Sequence, residues 1–235
     1  MPQADYRIRL PARFSPPTRS LIGDRHDPVR LAAGVAVTKL NAVKIGFFGG
    51  RFDPVHFGHL GAAHDACAQH QLDHLVFVPT AQVPHQSQRI HAAAEDRLAM
   101  LRLATASQPQ FEVSEFELGQ CGVSYTIDSV RHFRQLHPQD RLFWIIGGDQ
   151  LTRLYEWKGI HELARLVEFI VLERPGHPRQ PAVDIPGLRL HGCAGRLAEN
   201  SSTGLRDRVK RGLPLDHLVP AAVADYIARR GLYRR

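Results

Sequence analysis

The chain has 235 residues, 43% of them hydrophobic and 23% charged, which is typical of a soluble globular protein with one sizeable core. No apolar run approaches the roughly 18 residues that span a bilayer, and no leader pattern opens the chain, so we expect a cytoplasmic protein without a membrane partner. The net charge of +7 favours anionic ligands, although it does not by itself distinguish nucleotides from nucleic acids.

Residues 1–42 account for more than half of that charge. This segment holds seven Lys and Arg against three Asp and Glu, together with five prolines, and it shows little hydrophobic periodicity. We predict a loosely ordered basic extension over residues 1–42 and a single domain over residues 43–235. Because the extension supplies +4, the domain keeps only +3, and nucleic acid is not an expected partner.

The cysteines Cys67, Cys121 and Cys193 are widely spaced and form no CxxC pair. This pattern indicates buried free thiols rather than a disulfide framework or a zinc knuckle. The sequence does not determine the oligomeric state.

Apolar runs alternate with helical patterns along the rest of the chain. In chain order they predict the strand Val43–Phe48, the helix Gly58–Gln69, the strand Leu75–Pro79, the helix Ala94–Thr105, the strand Phe111–Leu118, the helix Tyr125–Leu136, the strand Leu142–Ile146, a helix over Asp149–Trp157, the strand Phe169–Leu172, and the helices Ser202–Arg211 and Pro220–Arg230. Strands that alternate with helices predict βαβ units. The expected fold is therefore α/β, a Rossmann-like doubly wound parallel sheet of five or six strands with C-terminal helices.

The segment between the first strand and the first helix carries a distinctive motif, Gly49-Gly50-Arg51-Phe52-Asp53-Pro54-Val55-His56-Phe57-Gly58-His59. In a doubly wound sheet, ligands bind beyond the carboxyl ends of the strands. The glycines admit a phosphate close to the backbone, and the helix start offers free N–H groups. His56 and His59 are spaced i, i+3, which places both imidazoles on one face with Gly58 between them. A chance metal site is an alternative, but the nearby thiol of Cys67 lies too far along the helix to complete it.

A second phosphate cradle is predicted at the start of the helix near residue 202. Ser202 and Thr203 are good helix N-cap residues, and Arg206 lies four residues after Ser202 on the same face. This helix start is therefore suited to a phosphate group.

The His56-Phe57-Gly58-His59 stretch matches the signature of the HxGH nucleotidyltransferase superfamily. From about Val43 to Arg235 the chain resembles, within that superfamily, the bacterial nicotinate-nucleotide adenylyltransferases. Further matching blocks occur in order: Gly122-Val123-Ser124-Tyr125-Thr126, Ile145-Ile146-Gly147-Gly148-Asp149-Gln150-Leu151, Trp157 with Glu162-Leu163, Arg174-Pro175-Gly176, Ser201-Ser202-Thr203-Gly204-Leu205-Arg206, and the tail from Leu218 to Tyr233.

The resemblance implies transfer of AMP from ATP to nicotinate mononucleotide, which gives nicotinate adenine dinucleotide and pyrophosphate in NAD synthesis. It implies catalytic roles for His56, His59 and Arg206, and it implies Mg²⁺ that arrives with ATP. The implied ATP-binding residues are Gly49, Gly50, Arg51, Phe52, Gly58, Ser201, Ser202 and Thr203.

The chemistry of adenylyl transfer suits these residue types. The attacking group is a phosphate whose second pKa is near 6, so it is already ionised at neutral pH and needs no general base. Catalysis then depends on alignment and on neutralising the charge that grows on the phosphoryl oxygens, which histidine, arginine and backbone N–H donors can do.

By the same resemblance, the acceptor should contact Thr126, Trp157 and Asp149. A tryptophan face can stack on a pyridine ring, and the helix start at Thr126 can receive a carboxylate. Asp149 is placed to bind a ribose hydroxyl. Trp157 could instead be a core residue, and Thr126 and Asp149 could be no more than helix caps.

Two departures from the family pattern leave alternatives open. Arg51 stands where the family commonly has Thr, and Gln86 stands where it commonly has Lys near the triphosphate. Lys44, Arg51 or Arg89 could replace the lost cation. The rival hypotheses are a different acceptor, nicotinamide mononucleotide or pantetheine phosphate, and a non-catalytic nucleotide- or RNA-binding protein.

Overall fold

The computed structural model describes residues 42–81, 90–120, 122–173, 180–195 and 201–234. Apart from Ala42, the predicted extension lies outside these residues, and so do Cys121, Gln86, Arg89 and the turn at 174–176. The division into an extension and a single domain therefore stays a prediction.

The described residues form a parallel sheet and its connecting helices. The strands are β1 (Lys44–Gly50), β2 (His74–Pro79), β3 (Phe111–Val113), β4 (Arg141–Gly147), β5 (Glu168–Leu172) and β6 (Leu190–Cys193). The α-helices are α1 (Phe57–His70), α2 (Ala94–Thr105), α3 (Thr126–Leu136), α4 (Ile160–Leu166), α5 (Ser202–Lys210) and α6 (Ala221–Arg230), and a 3₁₀ helix spans Gly148–Glu156. Within the described ranges, no helix has the length and apolar character needed to cross a membrane.

The strand order across the sheet is β3-β2-β1-β4-β5-β6, and every neighbouring pair is parallel. This is the doubly wound order of dinucleotide-binding folds, and it confirms the predicted fold class. The order reverses between β1 and β4, because the chain adds strands on one side of β1 and then returns to add strands on the other. The carboxyl ends of these two strands therefore border the crevice where such folds bind ligands.

The two phenylalanines near the end of β1 pack on opposite faces of the sheet, as the two-residue period of a strand requires. Phe47 is fully buried and stacks on Phe133 of α3, with ring centroids 4.2 Å apart. Phe48 packs on the other face in a cluster that includes Leu60 of α1, Leu101 of α2 and Val223 of α6. Both faces of β1 are thus covered, which fixes the position of Gly49 and Gly50, the last two residues of the strand.

Several predicted boundaries differ from the observed ones. The strand predicted over Phe111–Leu118 ends at Val113, and the helix predicted over Asp149–Trp157 is the 3₁₀ helix Gly148–Glu156. Helix α4 and strand β6 were not predicted, because both are short. Free buried thiols were predicted correctly for Cys67 and Cys193.

The close packing of Gly49, near the end of β1, against β4 gives a stability prediction. A Cβ added at Gly49 would lie 2.9 Å from Cζ2 of Trp144, whereas one added at Gly61 in α1 would meet nothing within 4 Å. We expect Gly49→Ala to destabilise the fold by about 1–3 kcal/mol through overpacking. Gly61→Ala, the matched control, should stabilise it by about 0.5–1 kcal/mol because alanine is the better helix former. Urea unfolding of both variants measures the difference, and equal effects at the two positions would contradict the packing argument.

Candidate active site

A cavity of about 580 Å³ lies at the carboxyl ends of β1 and β4. It borders the two glycines that end β1 and the loop that follows them, the starts of α3 and α5, and the 3₁₀ helix after β4. The predicted site residues in its lining are Gly49, Gly50, Arg51, Phe52, His59, Thr126, Asp149, Trp157, Ser202 and Arg206. Residues that sequence reasoning placed on separate segments therefore share one cavity, at the reversal of strand order where a ligand is expected.

The two motif histidines form a reciprocal cap at the start of α1. The Gly58 backbone N–H donates to Nδ1 of His56 at 3.1 Å, and the His56 backbone N–H donates to Nδ1 of His59 at 3.3 Å. Because both Nδ1 atoms accept, each ring takes the tautomer with its proton on Nε2. The ring centroids are 3.8 Å apart, which confirms that the histidines share one face.

Only one of the two histidines lines the cavity. His59 is in the lining, whereas His56 is 6% exposed and is not. Phe52 holds His59 in place by an edge contact with ring centroids 5.0 Å apart. Phe52 has φ of +49°, in the left-handed region that non-glycine residues seldom adopt, so the turn is shaped to bring this ring under the histidine. His59 is thus placed to donate from Nε2, and His56 serves as its support.

Two arginines bring positive charge to the same end of the cavity. Arg206 is 9% exposed; its Nη1 donates to the carbonyl of Asp53 at 2.8 Å and its Nη2 to Thr203 Oγ1 at 3.1 Å. Burial, and then the neighbouring Arg206 charge, lower the pKa of Arg51. Two like charges in a partly buried site repel each other, and the attraction of both to a bound polyanion offsets that repulsion.

The start of α5 differs in detail from the prediction. The N-cap is Ser201, not Ser202: Ser201 Oγ accepts from the Gly204 backbone N–H at 3.1 Å. Ser202 donates from Oγ to the Pro54 carbonyl at 3.0 Å, which ties the helix to the motif loop. Ser201, Thr203 and Gly58 are not in the cavity lining. Ser201 caps α5, Thr203 accepts a hydrogen bond from Arg206, and the Gly58 backbone N–H donates to His56.

At the other end of the cavity lie the residues predicted to bind the acceptor. Thr126 is the first residue of α3, and no side chain caps that helix start. Trp157 is partly exposed in the lining and has an edge contact with Phe169, with ring centroids 6.4 Å apart. Sequence reasoning missed Lys158, whose Nζ lies 4.1 Å from the centroid of the Tyr125 ring at the same end. Its only sequence signal was its position directly after Trp157.

One proposed replacement for the family lysine is wrong. Lys44 begins β1, at the end of the sheet opposite the cavity, and its Nζ donates to the His70 carbonyl at 3.3 Å. Arg51 is in the cavity lining and remains a candidate for that cation.

Comparison with known proteins agrees with this geometry. Residues 47–208 match the cytidylyltransferase-like family model. The chain is 57% identical over 192 residues to a probable nicotinate-nucleotide adenylyltransferase of Opitutus terrae, a match that covers 82% of this chain and 98% of that one. It is 41% identical over 196 residues to a protein of the same name from Saccharopolyspora erythraea, covering 81% and 90% of the two chains.

The chain belongs to the nicotinate-nucleotide adenylyltransferase family. A solved structure, Plasmodium falciparum nicotinic acid mononucleotide adenylyltransferase complexed with NaAD, superposes with a TM-score of 0.65 at 18% identity, covering 81% of this chain and 97% of that one. At that identity the likeness concerns the fold alone, and it agrees with the strand order described above.

In this member of the nicotinate-nucleotide adenylyltransferase family, Asp53 connects the motif loop to distant segments. Its Oδ2 accepts from the His91 backbone N–H at 2.7 Å. Its Oδ1 accepts from the Ala92 backbone N–H at 3.1 Å and from the Tyr233 hydroxyl at 2.7 Å. Sequence reasoning quoted Asp53 within the motif but gave it no role, because its partners come from residues 38 to 180 positions away.

The hydroxyl of Tyr233 gives a second prediction. Burial, and then the Asp53 charge, raise the pKa of Tyr233, so it remains a protonated donor to a buried carboxylate. We expect Tyr233→Phe to lower the free energy of unfolding by about 1.5–3 kcal/mol, the range for hydrogen bonds to charged groups.

Tyr226→Phe is its matched control. The Tyr226 hydroxyl also donates to a carboxylate, Asp96 Oδ1 at 2.8 Å, but Arg230 Nε donates to the same oxygen at 3.0 Å and would remain. Chemical denaturation of the two variants should show the larger loss for Tyr233→Phe. A larger loss at Tyr226 would contradict the role given to Asp53.

Proposed function

We propose that this protein transfers AMP from ATP to nicotinate mononucleotide and releases pyrophosphate and nicotinate adenine dinucleotide. The observation that carries the proposal is the single cavity that has His59, Arg51 and Arg206 at one end and Thr126 and Trp157 at the other. Such an arrangement suits a polyanionic nucleotide beside an acceptor with an aromatic ring. Membership of the nicotinate-nucleotide adenylyltransferase family supports the same reaction.

The chemical step is a displacement at the α-phosphorus of ATP. An oxygen of the acceptor phosphate forms the new P–O bond, and the bond to the pyrophosphate oxygen breaks. Because the acceptor phosphate is ionised at neutral pH, no protein group has to remove a proton. The protein contributes alignment of the two phosphates and donors for the charge that grows on the phosphoryl oxygens.

His59 and Arg206 are the proposed donors for that charge. The Nδ1 atom of His59 accepts from the His56 backbone N–H, so the ring proton is on Nε2. Arg206 is held by Asp53 and Thr203 through Nη1 and Nη2, so its orientation is set before substrate binds. Preorganised donors of this kind lower the barrier because they need no reorientation during the reaction.

We also propose that Mg²⁺ enters with ATP and is held mainly by the phosphate oxygens. Within the described ranges, no group of three or more His, Cys, Asp or Glu is arranged to hold a metal ion by itself. The carboxylate of the motif loop, Asp53, accepts three hydrogen bonds from protein donors. These residues fit a metal ion that the triphosphate carries into the site. The ion would neutralise phosphate charge there.

The proposal is tested by pyrophosphate release from ATP with three acceptors: nicotinate mononucleotide, nicotinamide mononucleotide and pantetheine phosphate. Turnover with nicotinate mononucleotide above the other two supports it. Turnover with another acceptor would correct the substrate, and no turnover with any of them would favour the non-catalytic hypothesis.

His59→Ala should lower kcat by roughly 100-fold or more while weakening ATP binding far less, because the His59 contact strengthens only in the transition state. Steady-state kinetics with nicotinate mononucleotide measure both quantities. His161→Ala removes an exposed histidine on α4, outside the cavity lining, and serves as the control with unchanged kinetics. Turnover of His59→Ala near that of the unmutated protein would remove His59 from the mechanism.

The choice of acceptor gives the fourth prediction. Nicotinate carries a carboxylate where nicotinamide carries a neutral amide, and the open helix start at Thr126 favours the anion by about 0.3–2 kcal/mol. Hydrogen bonds to the carboxylate are charge-assisted and therefore stronger, which adds to this preference for nicotinate. The amide adds to it as well, because its NH₂ group leaves donors of the pocket without an acceptor. We expect kcat/KM to favour nicotinate mononucleotide by more than about 100-fold.

Two variants separate ring stacking from charge in that preference. Trp157→Ala should weaken the binding of both pyridine acceptors and leave the ratio of their kcat/KM values unchanged, because the ring face is common to both. Lys158→Met should narrow the ratio severalfold, since an ammonium held over Tyr125 attracts only the carboxylate. Lys210→Met, at an exposed position on α5, is the control. Equal use of the two acceptors by the unmutated protein would contradict the acceptor assignment while leaving adenylyl transfer in place.

A further inference from the structure

Glu117 is a buried acid in the wall of the acceptor end of the cavity. It lies between β3 and α3, is 4% exposed, and lines the cavity together with Ser124 and Thr126. A carboxylate here is unexpected, because the proposed ligand is itself an anion. Sequence reasoning gave Glu117 no role.

Glu117 is hydrogen-bonded to α3 and lies close to the segment that precedes this helix. Ser129, on the first turns of α3 and 1% exposed, donates from Oγ to Glu117 Oε1 at 2.6 Å. The Ser124 hydroxyl is buried close to the same carboxyl, and it makes no hydrogen bond of normal geometry to any described residue. Glu117 thereby ties the segment after β3 to the first turns of α3.

No cationic side chain among the described residues pairs with Glu117. On α3, Asp128 and Arg131 pair with each other on the exposed side. His132 stacks on Phe116 with ring centroids 4.0 Å apart, and burial lowers its pKa, so it is neutral at neutral pH.

The other charged groups in the lining near this end are Asp149, Arg153, Glu156 and Lys158. The Lys158 ammonium lies over the Tyr125 ring, 4.1 Å from its centroid. Burial raises the pKa of Glu117 to about 7, and the hydrogen bond from Ser129 opposes that rise without cancelling it.

The ionisation of Glu117 bears directly on an anionic ligand. If Glu117 is charged, it places a second negative charge in a poorly solvated wall and competes for the positive end of α3. If it is protonated, the repulsion disappears and the Ser129 contact can persist. We propose that Glu117 is a positioning residue of the acceptor subsite that has to carry a proton when the anionic acceptor binds. This inference rests on the proposed function.

The sign of the pH dependence follows from the direction of the shift. A carboxyl whose pKa is raised to about 7 is neutral below that pH and loses its proton as pH rises through it. The protonated fraction falls about eightfold between pH 6.5 and pH 8, so KM for nicotinate mononucleotide should rise by about that factor. The turnover number should change little, because Glu117 does not touch the reacting phosphates.

Glu117→Gln tests the proposal, since the amide is neutral at every pH and can still accept from Ser129. We expect its KM for nicotinate mononucleotide to stay nearly constant from pH 6.5 to 8, at a value close to that of the unmutated protein at low pH. The control is Glu112→Gln on β3, outside the cavity lining, where burial also raises the pKa of the carboxyl. Glu112→Gln should keep the full rise in KM. Titration of the acceptor phosphate is common to all three proteins and cancels in the comparison.

A rise in KM for Glu117→Gln parallel to that of the unmutated protein overturns the inference. If Glu117→Gln does not fold, calorimetry of the unmutated protein decides. Binding of nicotinate mononucleotide is measured at pH 7.5 in two buffers of different ionisation enthalpy. We expect an uptake of as much as about 0.8 proton per protein molecule on binding. Absence of proton uptake overturns the inference equally. An unmutated protein that turns over no acceptor overturns the proposed function and this inference with it, which is distinguishable from an active enzyme without the pH effect.

Discussion

The carboxylate of Asp53 joins segments that are far apart in the chain. It accepts from the backbone of His91 and Ala92 ahead of α2 and from the hydroxyl of Tyr233 near the C-terminus, while its own carbonyl accepts from Arg206. A buried carboxylate is stable only when it is hydrogen-bonded in this way. The same set of contacts fixes the motif loop and the orientation of Arg206, so the stability of the fold and the geometry of the site depend on one residue.

The sheet decides where this loop lies. Because both faces of β1 are covered, the turn after Gly50 can project only beyond the carboxyl end of the strand, beside the end of β4. The cavity that results has two arginines at one end and the open start of α3 at the other. These positive features suit two phosphorylated substrates, and Glu117 is the exception whose charge must be neutralised for the acceptor.

Much of the fold was predictable because its signals are local. The buried runs of β1, β2, β4 and β5 and the helical patterns of α1, α2 and α3 lie within a residue or two of their observed bounds. The stretch after Val113 was assigned to a strand because it alternates, yet it leaves the sheet to carry Glu117 into the cavity wall. Strand β6 pairs along the edge with β5, and its four residues carry too weak a pattern to be read alone.

The sequence by itself determined the motif, the fold class and the family, because glycine turns, the i, i+3 histidine pair and strand–helix alternation are properties of neighbouring residues. It did not determine that His59 faces the cavity while His56 supports it, or that Ser201 rather than Ser202 caps α5. Nor did it reveal the roles of Asp53 and Glu117. Burial and hydrogen-bond partners set those roles, and both depend on residues brought together only when the chain is folded.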